Sequence, residues 1–204
     1  MNLAQLASLL EDWYGAGPGT LGIDTARTAN LANPILREFY ERLGGLAEKG
    51  TPFSHRLSRR GPLAAQDRVL PLNELRREDD ATVFVTENQD VFVIAASDNA
   101  DQTNALVSGD VGDLSLRHLT DLGIPLSELV VTLVLKETIF SVQDRYRAPS
   151  PLKSRTSAIS GTHYRGRYVW PEHYFDFWLA NDVWFMDHFG GWAAYRNHWK
   201  QPPA

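Results

Sequence analysis

The segment ATVFVTENQDVFVIAASDNAD, residues 81–101, restricts the fold more than any other stretch. Residues 82–86 and 91–96 read as two strands joined by a polar turn, and each strand is apolar on both faces. Such a pair needs cover on both sides, which predicts a central hairpin with other elements packed against it. With Asn88-Gln89 as a two-residue loop, Glu87 and Asp90 face each other across the first pair. Like charges directly opposite weaken a sheet by roughly 0.2–1 kcal/mol. Asp98 and Asp101 follow, so the negative charge of this hairpin needs an explanation.

The charge pattern extends beyond the hairpin. From Glu78 to Asp113 there are nine acids, Asp110 and Asp113 among them, and no Lys or Arg. From Arg145 to Arg167 there are six bases and no acid. The net charge of −5 argues against a dedicated nucleic-acid binder, although the basic segment keeps a local version of that idea open. With no cysteine, disulfides, thiolate zinc sites and cysteine nucleophiles are excluded. The opening MNLAQLASLLEDWYG lacks the basic start and cleavage site of a secretory signal. No apolar run approaches the roughly 20 residues that span a bilayer, and a cytoplasmic location is expected.

Around the hairpin the order of elements is legible. Leu3, Leu6, Ala7 and Leu10 predict a short amphipathic helix. NPILREFYERLGG predicts a second helix, with Asn33 as cap, Pro34 in the first turn and Gly44-Gly45 as the stop. RVLPLNEL holds a short strand that Pro71 confines to an edge or a bend, and ALVSG adds another strand. DLSLRHLTDLG reads as a short helix from Asp113 to Gly123. IPLSELVVTLVLKETIFSV reads as a long helix, in which Leu126, Leu129, Val130, Leu133, Val134 and then Glu137 step at helical spacing. Residues 145–167 read as an exposed loop. The end of the chain, from Tyr164 to Trp199, holds 13 of the 22 aromatics. It predicts strand, turn at Ala180-Asn181-Asp182, strand, turn at Gly190-Gly191, strand. A single domain over residues 1–204 accommodates all of this.

Three stretches resemble the SUKH superfamily, whose bacterial members are mostly immunity proteins paired with polymorphic toxins. NPILREFYERLGG is similar to that family's Pro-x-x-Leu-x-x-Phe-Tyr helix ending in Gly-Gly, with Leu36 one place early. FVTENQDVFVIA resembles its strand, Glu-Asn-Gln turn and returning strand, though Val91 and Phe92 stand where the family often has Trp. The apolar helix around 126–142 and the aromatic terminal strands come in the family's order. The resemblance implies an α+β fold, a mostly antiparallel sheet of about five or six strands with helices packed against it. It further implies an immunity protein that binds and occludes a cognate toxin domain, a nuclease for example, without catalysis or cofactor. A regulatory protein-interaction scaffold with several partners is the alternative.

On that reading the acidic stretch has two explanations. Many toxins of such systems are nucleases with positive clefts, and Glu87, Asp90, Asp98, Asp101, Asp110 and Asp113 form a face that mimics phosphates and steers encounter. Alternatively, they are a solvated rim that discourages edge-to-edge aggregation. Trp192, Tyr195 and Trp199 are further candidate partner anchors, since Trp and Tyr concentrate in interface hot spots. Other chemistries fit less well. His163, His173, His188 and His198 show no compact ligand pair, so no metal site is expected. No G-x-S-x-G elbow occurs. GAGPGTLG lacks both the third glycine of a dinucleotide loop and the Lys-Ser/Thr of a P-loop.

Overall fold

Asn2 starts the first helix by a reciprocal cap: its side chain accepts from Gln5 N–H, and the Gln5 side chain accepts from Asn2 N–H, both at 2.9 Å. Helix α1, Leu3–Tyr14, then runs to Gly15, which closes it in the left-handed conformation. A short α2, Thr25–Thr28, precedes α3, Pro34–Leu43, which begins and ends as its sequence predicts. Asn33 Oδ1 accepts from the N–H groups of Ile35 and Leu36, and its Nδ2 donates to Ser97 O at 2.9 Å, so the cap also fastens the helix to a strand. A 3₁₀ turn at Gly44–Leu46 follows. Gly22 lies so close to the Glu41 carbonyl that only a residue without Cβ fits there.

The computed structural model of the chain describes residues 1–48, 62–78, 80–89, 91–99, 101–108, 118–141, 146–147 (backbone alone), 161–187 and 191–196. Its first sheet consists of β1 (Asp67–Val69), β2 (Arg76–Glu78), β3 (Ala81–Glu87), β4 (Val93–Ser97), β5 (Asn104–Ser108) and β6 (Thr120–Pro125). The order is β1-β3-β4-β5-β6, with β2 also pairing with β3, and every pairing is antiparallel. The hairpin strand β3 is therefore internal, as its two apolar faces require. Val83 joins Leu70, Ala81 and Ala95 on one side, while Phe84, Val85, Ile94 and Ala96 enter the main core on the other.

Helix α4, Leu126–Ser141, has thirteen of its sixteen residues buried. A helix apolar on every side must be covered on every side. It packs against β5 and β6 of the first sheet, against α1 and α3, and against a second sheet. That sheet contains β7 (Tyr146–Arg147), β8 (Thr162–Arg167), β9 (Tyr174–Leu179), β10 (Val183–Asp187) and β11 (Trp192–Tyr195), in the order β7-β11-β10-β9-β8 and again antiparallel. The fold is α+β, with a six-stranded antiparallel sheet of the expected kind. The terminal strands do not extend it; they form a sheet of their own because α4 needs a second cover.

Three local expectations change. The hairpin loop is longer than two residues: Glu87 N–H donates to Phe92 O at 3.0 Å, so Glu87 is matched with Phe92, and Asp90 lies outside the described residues. The helix expected up to Gly123 gives way to β6 over its last residues, while 113–117 lie outside the described residues. Within the expected loop at 145–167, residues 162–167 are β8 and 146–147 are β7. Gly166 packs against Thr132 of α4, and Arg167 is held by Glu128, so β8 is a strand because of what it docks on.

Candidate functional site

An irregularity in the hairpin places the site. The register between β3 and β4 shifts between Val83 and Val85, a bulge that sends both Phe84 and Val85 to the core side. Strand positions alternate, so Glu87 shares the side of Val85 rather than that of Val83. On β1, Asp67 pairs with Glu87 and Val69 with Val85. Directly opposed residues of an antiparallel pair bring their Cβ atoms within about 4.5–5.5 Å. Two carboxylates thus stand side by side on the inner face, turned towards α4.

There Asp67 meets Lys136 and Glu137. Asp67, Lys136 and Glu137 are the only buried charged side chains among the described residues, at 6, 6 and 0% exposure. Lys136 Nζ lies 2.5 Å from Asp67 Oδ2 and 2.8 Å from Glu137 Oε1. It also sits over the Tyr168 ring, 4.8 Å from the centroid. Glu137 Oε2 accepts from the N–H groups of Ala65 and Gln66, and Oε1 from that of Asp67, at 2.7–3.0 Å. Tyr168 OH donates to Asp67 Oδ2 at 3.0 Å. Burial works against the charge of Lys136, but Glu137 and Asp67 outweigh it and hold the ammonium pKa above the ordinary lysine value. Burial, reinforced by the Asp67 and Glu137 charges, pushes the Tyr168 phenol well above its usual range, so it remains a donor.

This cluster borders a pocket of about 310 Å³ at the turn end of the hairpin. Asp67, Glu87 and Lys136 supply its charges. Phe92, Phe140, Tyr168, Trp170, Phe175 and Trp192 make most of the rest of its wall. Trp170 is 41% exposed, one of two large apolar side chains so exposed among the described residues. Trp192 packs on Phe140 of α4, ring centroids 5.2 Å apart. Glu87 Oε2 also caps the hairpin turn by accepting from the N–H groups of Gln89 at 2.6 Å and Val91 at 3.3 Å.

The candidates named from the sequence separate into groups. Glu87 and Trp192 come together at the pocket. Asp98 lies at the other end of the hairpin, where its N–H bonds to Asp80 O and its carboxylate pairs with Arg77 and accepts from Thr82. At about 3.3 Å per residue, it is roughly 20 Å from Glu87 along the strand. Asp101 is exposed beyond it. Asp90, Asp110 and Asp113 lie outside the described residues, as do His188, His198 and Trp199. A single acidic face is therefore not what the described carboxylates form: one caps a turn beside a pocket, and another is neutralised by an arginine within the fold. Tyr195 packs with Phe185 and Ala193 on the side of the second sheet opposite Trp192, because three positions along a strand reverse the side.

In the basic segment, Arg167 forms a bidentate pair with Glu128, and Arg165 stacks over Tyr174. His163 bonds to Asp176 at 2.9 Å on the surface. Among the described residues, no group of three or more His, Asp or Glu is arranged to hold a metal ion. No helix of the described residues is long and apolar enough to cross a membrane. Sequence reasoning passed over Asp67 and Lys136, and gave no buried partner to Tyr168 or Glu137. One signal for the last was visible, since Glu137 falls on the apolar stripe of α4, where a charge must find partners inside. No protein-family model, curated protein or solved structure matches the chain.

Proposed function

We propose that the protein is a non-catalytic immunity protein that binds one cognate bacterial toxin domain and occludes its active site. The observation that carries this reading is the pocket at the hairpin turn, where an exposed Trp170, Phe92 and Trp192 surround a carboxylate-bearing floor. Aromatic anchors around a desolvated centre are what a binding hot spot requires. The three stretches that resemble the SUKH superfamily support the same reading. They correspond to α3, to the β3–β4 hairpin and to α4 with the terminal strands, and the latter two form the pocket walls. Negative charge at the rim favours a partner whose cleft is positive and speeds the encounter.

The absence of catalysis in this reading rests on how the buried groups are committed. Lys136 is held between two carboxylates, and Glu137 takes three backbone donors in addition. Groups bonded this way hold a structure together and are poorly placed to exchange protons with a substrate. The test is co-expression with the product of the neighbouring reading frame. Restored growth, with a one-to-one complex on size exclusion, is the expected outcome. A neighbour that is not toxic, or capture of several housekeeping proteins in place of one toxin, contradicts the reading and favours a regulatory scaffold.

A further inference from the structure

The geometry points to an arginine side chain of the partner as the occupant of the pocket at the hairpin turn; this rests on the immunity reading and specifies its contact. The first argument is charge. Asp67, Glu87 and Glu137 against Lys136 leave a surplus of two negative charges around the pocket. Asp67 and Glu87 are opposed across β1 and β3, and Lys136 pairs with Asp67, so it is the Glu87 charge that has no cation among the described residues. Asp67 Oδ2 is engaged by Lys136 and Tyr168, and Glu87 Oε2 by the turn, while Asp67 Oδ1 and Glu87 Oε1 have no partner among the described residues. Two acceptors remain for an incoming donor.

The second argument concerns which cation. Lys136 cannot attract an anion, because both carboxylates and the Tyr168 ring already surround its ammonium. A hydrated divalent ion needs about six oxygen ligands, and much of this wall is aromatic carbon. An organic cation suits both features, since ring faces attract it and carboxylates bond it. The volume of about 310 Å³ is at the small end for ligand pockets and enough to seat one side chain. Among side chains, the planar guanidinium offers several donors in a fixed fork and stacks on rings, matching two oxygens from different strands beside Trp170 and Phe92.

The test titrates the full chain with Nα-acetyl-arginine methylamide, following the fluorescence of the pocket tryptophans and the NMR shifts of Glu87 and Gln89 amides. Nα-acetyl-citrulline methylamide is the uncharged isostere. The expected result is saturable millimolar binding of the arginine compound, at least tenfold weaker binding of citrulline, and a tenfold loss in Glu87→Gln. That variant keeps an oxygen for the turn and loses the charge. Trp170→Ala, at an exposed position, provides a second variant with the same expected loss should Glu87→Gln alter the turn. Equal response to both compounds, or no saturable response, overturns the inference; tighter binding of the lysine analogue overturns the choice of arginine. Failure of growth rescue with arginine binding intact counts against the immunity reading alone.

Discussion

Lys136→Met is the most incisive test of how the site is built. It preserves the length of the side chain and its packing over Tyr168 while deleting the ammonium. Two ion pairs, at 2.5 and 2.8 Å, are lost between side chains that are at most 8% exposed. Removing one partner from a buried ion pair costs about 3–5 kcal/mol, against about 0–1 kcal/mol for a surface pair. Glu137 keeps three backbone donors and Asp67 keeps the Tyr168 hydroxyl, which places the expected loss near the lower end, about 3 kcal/mol. In the wild type, the raised Lys136 pKa means its contribution is fully present below the ordinary lysine value of 10.5 and lost only as pH climbs through the raised one. Urea denaturation at pH 7 measures the loss. A loss under about 1 kcal/mol, of the size of a surface pair, refutes the account of the cluster.

Two further outcomes follow from other contacts. Glu128→Gln weakens the clamp between α4 and β8, in which one carboxylate takes the Arg167 N–H, Nε and Nη2 at 2.8–2.9 Å; urea titration at pH 7 should show a loss of about 1.5–3 kcal/mol. The Arg167 bonds, against opposing burial, hold the Glu128 pKa below its ordinary 4.5, so the clamp is intact above that value and the gap between wild type and variant closes as pH falls below it. Gly22→Ala forces a methyl against the Glu41 carbonyl and should lower stability by about 1–3 kcal/mol, read as a reduced denaturation midpoint with an unchanged urea slope.

Legibility of this fold followed the locality of the signals. The Asn33 cap, Pro34 and the glycine stop specify α3 within a few residues of its ends, and the apolar spacing of α4 is sustained over four turns. The aromatic β9–β11 meander was equally plain. Strand β6 was not, because at the sheet edge it buries only Ile124 fully and carries Gly123 in a left-handed conformation, so no alternation appears. Strand β8 hides among arginines and glycine because its order comes from α4. The site was harder still. The bulge that turns Glu87 inward leaves no sequence mark, and Asp67 and Lys136 are 69 positions apart. Glu87 and Trp192 were found for their residue types, and it is tertiary pairing that unites them. The expected Glu87–Asp90 pairing is replaced by Glu87 with Phe92, and the like charge that stands opposite Glu87 is Asp67 on β1.

The most direct measurement is the dissociation constant of the complex with the neighbouring toxin domain, compared between the two ends of the hairpin. Glu87→Gln and Trp170→Ala at the pocket should each weaken binding tenfold or more, about 1.4 kcal/mol, while Asp101→Asn at the far end stays within twofold. The opposite pattern, full affinity in the pocket variants and a tenfold loss in Asp101→Asn, contradicts the account.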